Sequence, residues 1–388
     1  MGGPHVTYLA DEALEHADFV IRGEGERPLM EFIDAWERGA GFAAVPNLSY
    51  RGDGRSVHNE RLHAPADLDW IPFPDFGLLK PDVPGREKMS SIPVQTSRGC
   101  PFDCSFCSVT GMFGKTFRFR STENIIEELR RYNDPKNIVF FYDDNFAANR
   151  ERAKDLCRAM IREKFRFKWT TQVRADVARD IELVRLMKRS GCHTVYIGFE
   201  SINPDSLKGM KKSQTVSEIS RAVRILRRQR IRIHGMFVLG FDQDDWASMM
   251  RSVKFAIKSR LNSTQFLILT PLPGSEFYEK MSAEKRIRFN DWTLYDAHHV
   301  VFQPARLSLF DLQRAQMVCH KKFYSLKQMS RKILAGQWIG LAIAHYARNL
   351  NRTWKKKNRT FLRVVDLLKP RAGSRISVDY HEDVKLDR

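Results

Sequence analysis

The sequence predicts an α/β protein built on a parallel sheet. Six short apolar segments recur at intervals of about 30–45 residues, and amphipathic helical segments fall between them. The apolar segments mostly lack strict alternation, as strands do when both faces are covered. Right-handed crossovers then follow from the alternation itself. Six units are too few to close an eight-stranded barrel, so the frame is a partial barrel or an open wound sheet.

The strands expected are IPVQTS (92–97), IVFFYD (138–143), KWTTQV (168–173), TVYIGF (194–199), IHGMFVL (233–239) and QFLILT (265–270). Helices are expected near 122–132, 150–164, 178–190, 215–229 and 245–260. Ser121 and Thr122, with Glu123, stand just ahead of IIEELRR as a helix start. Upstream, DFVIRGEGE (18–26) reads as a short strand entering a Gly-rich turn. Leu29, Phe32, Ile33 and Trp36 then recur at helical spacing. Residues 1–40 thus read as the tail of an α/β unit that begins mid-domain. Residues 41–90, rich in Pro, Gly and Asp, read as an ordered connector. The core spans 91–275, and a mainly helical basic extension covers 276–388, where 308–334 reads as one or two helices.

Composition narrows the class. The 388 residues are 43% hydrophobic and 29% charged, enough for a sizeable core and against wholesale disorder. No apolar run reaches 18 residues, and the start, MGGPHVTYLADEALEH, lacks the basic and apolar regions of a secretory signal. Six cysteines are too sparse for a disulfide scaffold, and three of them fall within residues 100–107. That pattern points to metal in a reducing, cytoplasmic compartment. The net charge of +19 calls for an anionic partner: nucleic acid, membrane surface or acidic substrate.

The sharpest signal is SRGCPFDCSFCS (97–108), which sets Cys100, Cys104 and Cys107 in a C-x3-C-x2-C spacing directly after the first core strand. Three thiolates so spaced can wrap one face of a cluster, and no fourth cysteine is near enough to complete a four-thiolate zinc site. Three ligands to a four-iron cluster leave one iron open to a small molecule. A zinc site completed by a distant histidine, or cysteines that merely pack, are the plainer readings.

This loop, including the aromatic Phe106 before the last cysteine, resembles that of the radical S-adenosylmethionine (radical SAM) enzymes. The resemblance implies a partial (βα)6 TIM-type barrel with an N-terminal Rossmann-like fragment and a helical C-terminal extension. It implies a [4Fe-4S] cluster on Cys100, Cys104 and Cys107, with SAM chelating the open iron and cleaved reductively to a 5′-deoxyadenosyl radical. An electron donor such as flavodoxin or ferredoxin is implied with it. Further positions are carried over from the family. In FYDDNF (141–146), Asp143 and Asp144 are candidates to accept from the SAM amino group, although acidic residues after a strand also cap helices. In TTQVRAD (170–176), Gln172 and Arg174 lie two apart and share a face if the strand runs that far, and Arg174 either meets the SAM carboxylate or pairs with Asp176 or a helix acid. Glu200, ending YIGFES, matches the ribose-contacting position; otherwise a buried glutamate there needs a basic partner. Gly240 fits the fifth-strand glycine motif that passes the adenine, whereas Gly235 is offset from it. Thr270, which opens TPLPGS, is a candidate to reach SAM, although a turn is the plainer reading there.

Cys157, Cys192 and Cys319 read as buried packing residues, and His298 and His299 as structural. GGPHVT (2–7) and ADFVIRGEGE (17–26) resemble the end of a cobalamin-binding domain joined to a radical SAM core, although the cobalt-ligating D-x-H-x-x-G motif occurs nowhere in the chain and His5 is no substitute. Cobalamin is therefore a possible further cofactor. With it, the chemistry implied is C-methylation of a small-molecule, lipid or natural-product substrate; without it, rearrangement or oxidation. The extension resembles that of cobalamin-type members, hopanoid methylases included.

Residues 321–369 hold 13 Lys plus Arg against the single acidic Asp366. GQWIGLAIAHYARNLNRTWKKKNR (336–359) joins an apolar helical stretch to a basic run, which suits either a core helix with a solvated tail or peripheral membrane association. A tRNA-modifying radical SAM enzyme is the main enzymatic alternative. It calls for a second cysteine set upstream and a C-terminal β-barrel, but residues 1–99 contain no cysteine and the tail reads as helical. Nucleic acid, including a non-enzymatic binding module with a structural metal, is the weaker expectation.

Overall fold

A computed structural model describes residues 1–62, 67–78, 91–114 and 117–368. Parts of the expected connector (63–66 and 79–90) and the end of the expected extension (369–388) lie outside the described residues. The chain opens with α1 (Pro4–Tyr8), α2 (Ala10–Ala13), β1 (Phe19–Ile21), α3 (Glu26–Glu37) and the hairpin β2 (Leu48–Gly52) and β3 (Arg55–His58). Next come β4 (Ser91–Val94) and a short ladder of β5 (Ser97–Arg98) with β6 (Arg118–Phe119), which brackets α4 (Val109–Phe113). The strand–helix rhythm follows as α5 (Thr122–Arg130), β7 (Ile138–Phe141), α6 (Arg150–Arg162), β8 (Lys168–Val173), α7 (Ile181–Arg189) and β9 (Cys192–Glu200). It continues through α8 (Pro204–Gly209), α9 (Val216–Arg228), β10 (Arg232–Leu239), α10 (Trp246–Lys258) and β11 (Ser263–Ile268). The remainder is helical: α11 (Glu276–Ala283), α12 (Leu309–Phe323), α13 (Leu326–Leu334), α14 (Trp338–Lys357) and α15 (Arg359–Leu367).

Strands β4, β7, β8, β9, β10 and β11 make the six-stranded parallel sheet that the alternation predicts. The helix starts are written locally. Ser121, Asn149, Asp180 and Asp245 each accept from a first-turn amide, and Asp245 with Ser248 forms a reciprocal capping box. Each such cap is worth about 1 kcal/mol. Among the described residues no helix is long and apolar enough to cross a membrane.

The chain divides into two compact units. The first holds Met1–Gly198, Glu218–Ile233 and Leu272–Lys280. Its core is an aromatic stack under the sheet, with Phe141, Phe146 and Trp169 at centroid separations of 5.3–5.5 Å. Trp169 is fully buried, and its Nε1 donates to the Ser190 carbonyl at 2.9 Å, so its one polar atom is satisfied. Residues 48–58 of the expected connector form the β2–β3 hairpin, and β2 pairs antiparallel with β1. The apolar face of α3 is only partly covered: Phe32 meets the rings of Phe19 and Phe42, but Leu29 is 47% and Trp36 59% exposed. Periodicity marks an apolar face without saying what covers it.

The second unit holds Phe199–Ser217, His234–Pro271 and the described part of Met281–Arg388. Its core is a run of rings, Phe199 to Phe237 at 5.6 Å and Phe237 to Phe266 at 5.3 Å. Gly235 lies against this run; a β-carbon there would stand 2.6 Å from Leu261 and 3.1 Å from Phe199. Packing accounts for this glycine. The segment 308–334 is two helices, α12 and α13, with α12 buried along most of its length.

Candidate functional site

The cysteine loop is closed at its base by β5 and β6, where Ser97 faces Phe119 and Arg98 faces Arg118. Both arginines would be costly to bury alone. The carboxylates of the GEGE stretch meet them: Glu24 and Glu26 each lie 2.5 Å from Arg98, and Glu24 also pairs with Arg118. Arg98, Arg118 and Glu24 are all nearly buried. Burial alone would raise the Glu26 carboxyl, but bonding to Arg98 and its charge hold it below the usual range.

A second carboxylate fixes the entry to the loop. Asp143 is fully buried, and its Oδ1 accepts from the Thr96 amide at 2.7 Å and the Ser97 amide at 3.1 Å; the Thr96 hydroxyl donates to Oδ2. Both oxygens of Asp143 are therefore engaged in holding the segment that runs from β4 to the cysteines. Its neighbour Asp144 is reachable by solvent but recessed, and burial together with the charge of Asp143 pushes its carboxyl up to about 6. The two aspartates of FYDDNF thus divide, one structural and one open.

Within the loop the Cys107 amide donates to the Cys104 carbonyl at 3.0 Å, a tight turn between the last two cysteines. Thr110 donates to the Phe102 carbonyl at 3.2 Å, and the Phe277 amide to the Ser105 carbonyl at 2.8 Å. Tyr8 donates to the Ser108 carbonyl at 2.8 Å. The Tyr8 ring fills the space where β-carbons on Gly111 and Gly274 would fall, which is what the glycine of TPLPGS provides. Arg174 lies with its guanidinium 3.7 Å from the Phe102 ring centroid, Nη1 3.9 Å from the Cys104 sulfur and Nε 4.0 Å from Asp176. Arg174 lies one residue past the end of β8, so the strand face it was expected to share with Gln172 stops short of it, and its ring and sulfur contacts are with the cysteine loop. Gln172 is half-buried on β8, and its carbonyl accepts from the Phe146 amide at 3.1 Å. Phe106 is half-buried in the loop.

The six cysteines fall into two classes. Cys100, Cys104 and Cys107 are partly open, whereas Cys157, Cys192 and Cys319 are buried. Burial raises the Cys100 thiol and pushes Cys107 up to about 11, so ligation there has to displace protons. Among the described residues no three His, Cys, Asp or Glu side chains close around a point that one metal ion could fill.

The second unit carries the remaining positions, each at the end of its strand. Glu200 is buried in the left-handed region, with φ 58, and lies 2.7 Å from Lys212. The basic partner that a buried glutamate requires is therefore present. Gly240 has φ 107, and a β-carbon there would stand 2.6 Å from Leu312 of α12. Asp244, absent from the sequence-derived set, accepts from the Gly240 and Phe241 amides at 3.0 and 3.1 Å and from Ser206 at 2.6 Å. The two consecutive amides so bound were foreshadowed only by the acidic run of GFDQDD. Thr270 is buried and donates to the Ile268 carbonyl at 3.1 Å. His299 bonds to Asp296 and Asn358, and His298 to Gln316.

The chain is similar to known proteins along most of its length. The chain is 34% identical over 303 residues to an uncharacterized methyltransferase of Pyrococcus horikoshii, covering 76% of this chain and 65% of that protein. It is 31% identical over 348 residues to the bacteriochlorophyllide d C-12(1)-methyltransferase of Chlorobaculum tepidum, covering 87% of this chain and 72% of that one. The fold matches a radical S-adenosylmethionine methyltransferase from Kitasatospora setae, solved with cobalamin and a [4Fe-4S] cluster bound, at a TM-score of 0.65. Sequence identity to it is 18%, over 73% of this chain and 59% of that chain. The chain thus spans roughly two thirds of the proteins it matches. Residues 94–256, from β4 through most of α10 and with all three loop cysteines, match the Radical SAM superfamily, and the chain belongs to that superfamily.

Proposed function

We propose that this chain is the catalytic core of a radical SAM methyltransferase, with Cys100, Cys104 and Cys107 holding a [4Fe-4S] cluster. The observation that carries the reading is the cysteine loop itself: three partly open thiols on a backbone fixed at its base, entry and tip. The donor set fits the group, because three partly open cysteines on one short loop offer three soft thiolate ligands and leave a fourth cluster corner open. When bound, the cluster supplies the electron that cleaves the SAM sulfonium to a 5′-deoxyadenosyl radical.

The chain's own residues do the positioning. Glu24 and Asp143 hold the loop's base and entry, and Arg174 brings a fixed positive charge to the Cys104 sulfur. Asp144, the more open of the two carboxylates, accepts from the SAM amino group, and the resemblance assigns Glu200 and Gly240 to its ribose and adenine. Gln172, Phe106 and Thr270 complete the set. The substrate class is a large, largely apolar small molecule, in keeping with relatives named for bacteriochlorophyllide and hopanoid methylation. A reduced flavodoxin or ferredoxin in the cytoplasm is the electron donor, and the basic helical extension meets a membrane surface. Cobalamin is the further cofactor that this reading allows, in keeping with solved neighbours of this fold that bind it, and no step is routed through it.

Anaerobic reconstitution with iron and sulfide, followed by SAM and dithionite, tests this. Wild-type protein should form 5′-deoxyadenosine, and Cys104→Ala should form none. Stoichiometric zinc with a featureless visible spectrum would sink the reading.

A further inference from the structure

The second unit contains a cavity of about 510 Å³ at the junction of α10 and α13. Four cations line it, Lys258, Arg260, Arg331 and Lys332, over a floor that includes Leu261 and Phe323. No carboxylate is in the described lining, and among the described residues none of the four makes an ion pair. Lys332 donates to the Asn262 carbonyl at 3.3 Å and Arg331 to Gln328 at 3.4 Å, both neutral partners.

Cations near helix C-termini are ordinarily explained by the helix dipole, and Lys258, Arg331 and Lys332 all sit in last turns. That explains each residue singly. It does not explain why two such ends converge on one cavity. Their terminal carbonyls are already closed by following amides, Leu261 onto Ala256 at 3.2 Å and Gln337 onto Lys332 at 2.9 Å. Four full charges therefore stand against two helix ends of about half a charge each. The cavity is of ligand scale, and its charged lining residues are all positive.

Its surroundings are apolar and uncovered. Gln337 lines the cavity, and the next residue, Trp338, is 66% exposed at the start of α14. Along α14 the exposed residues Ile339, Ile343, Tyr346 and Leu350 are spaced 4, 3 and 4 apart, which places them within an arc of about 60°. The only buried residue of this 20-residue helix is Ala344. An apolar stripe faces solvent, and Lys355, Lys356 and Lys357 close the helix. The expectation of a core helix is not met; a cationic cavity joined to an exposed apolar stripe is the pattern of a surface that lies on anionic lipid.

We propose that this surface seats on an anionic phospholipid bilayer, with the cavity taking a lipid phosphate and the α14 stripe lying at the acyl boundary. The proposal rests on the reading that the extension meets a membrane, and names the site and the lipid class; it does not depend on the radical chemistry. The full chain is sedimented with vesicles of phosphatidylcholine alone and of equal parts phosphatidylcholine and phosphatidylglycerol. Binding is expected only with the mixed vesicles, and salt should weaken it. Arg260→Gln and Arg331→Gln should each lower the affinity about fivefold, the usual worth of one charge at such a surface. Ile343→Ser should weaken binding without changing its salt dependence. All three positions are on the surface, and melting curves check that the fold survives. Equal binding to neutral vesicles would overturn the phosphate site while sparing membrane contact, and binding to neither would remove both. Saturable binding of inorganic phosphate without vesicle binding would reassign the cavity to a soluble ligand. A dimer abolished by Ile343→Ser would reassign the stripe to a second copy and overturn the proposal.

Discussion

The cysteine loop of the first unit and the strand ends of the second hold their functional positions by different physics. The loop has little regular structure, and charged side chains reaching over long sequence distances fix it: Glu24 to Arg98, Asp143 to Thr96, Arg174 to Cys104. Glu200 and Gly240 are instead set by backbone conformation, both at positive φ, and Gly240 by close contact with Leu312 as well. A loop held by charges can lose its geometry while the sheet stays folded. A strand end held by sterics transmits any change into the core.

The largest expected effect tests the first half of that contrast. Glu24→Ala leaves Arg98 and Arg118 without their shared partner in a nearly buried site, and breaking such a pair costs about 3–5 kcal/mol. The loss should be local. The loop thiols of the unloaded protein should alkylate faster, while amide exchange in β7 and β8 stays slow. Uniform acceleration across the sheet would show that the clamp supports the whole unit. Gly240→Ala tests the other half. A β-carbon 2.6 Å from Leu312 and a strained φ together should cost about 2–4 kcal/mol in global melting. Leu312→Ala should recover part of that in the double mutant; strict additivity would mean that strain alone is at work.

A smaller effect is expected from Arg174→Gln, which removes a cation stacked on Phe102 and a donor near Cys104. The stability cost should be about 1 kcal/mol. The more telling readout is the reduction potential of the reconstituted cluster, which should fall when a positive charge beside a ligand sulfur is lost. An unchanged potential would confine Arg174 to holding the loop.

What was legible in the sequence follows the same division. The expected strand 168–173 coincides with β8, and the helices fall within a few residues of their expected ends, because burial on both faces and N-caps are written locally. The cysteine spacing was equally plain. The contacts that hold the loop were not. Nothing in GEGE announces that Glu24 meets two arginines 74 and 94 residues away. Nor could adjacency in FYDDNF separate Asp143, whose oxygens are engaged, from Asp144. The need for a basic partner at Glu200 was legible; that it is Lys212 was not. For α3 the periodicity found the apolar face but not its exposure, and for 336–359 the sequence showed an apolar helical stretch but not what packs against it.

The smallest effect concerns the adjacent pair His298 and His299, where opposite signs sharpen the contrast between charge and burial. Burial would lower the His299 imidazole, but bonds to Asp296 and Asn358 and the charges of Asp296 and Asp291 raise it above its ordinary value. Its stabilisation is thus fully present below the unfolded value of about 6.5 and is lost as pH rises through the folded one. His298 is lowered, first by burial, so its contribution is present above about 6.5 and is lost as pH falls. The melting difference between wild type and His299→Gln should therefore be widest near about pH 6 and narrow toward about pH 8. His298→Gln should show the reverse, gaining on wild type as the solution becomes acid. If both variants shift in the same direction with pH, the Asp296 bond does not set the proton affinity of His299, and the pair responds to burial alone.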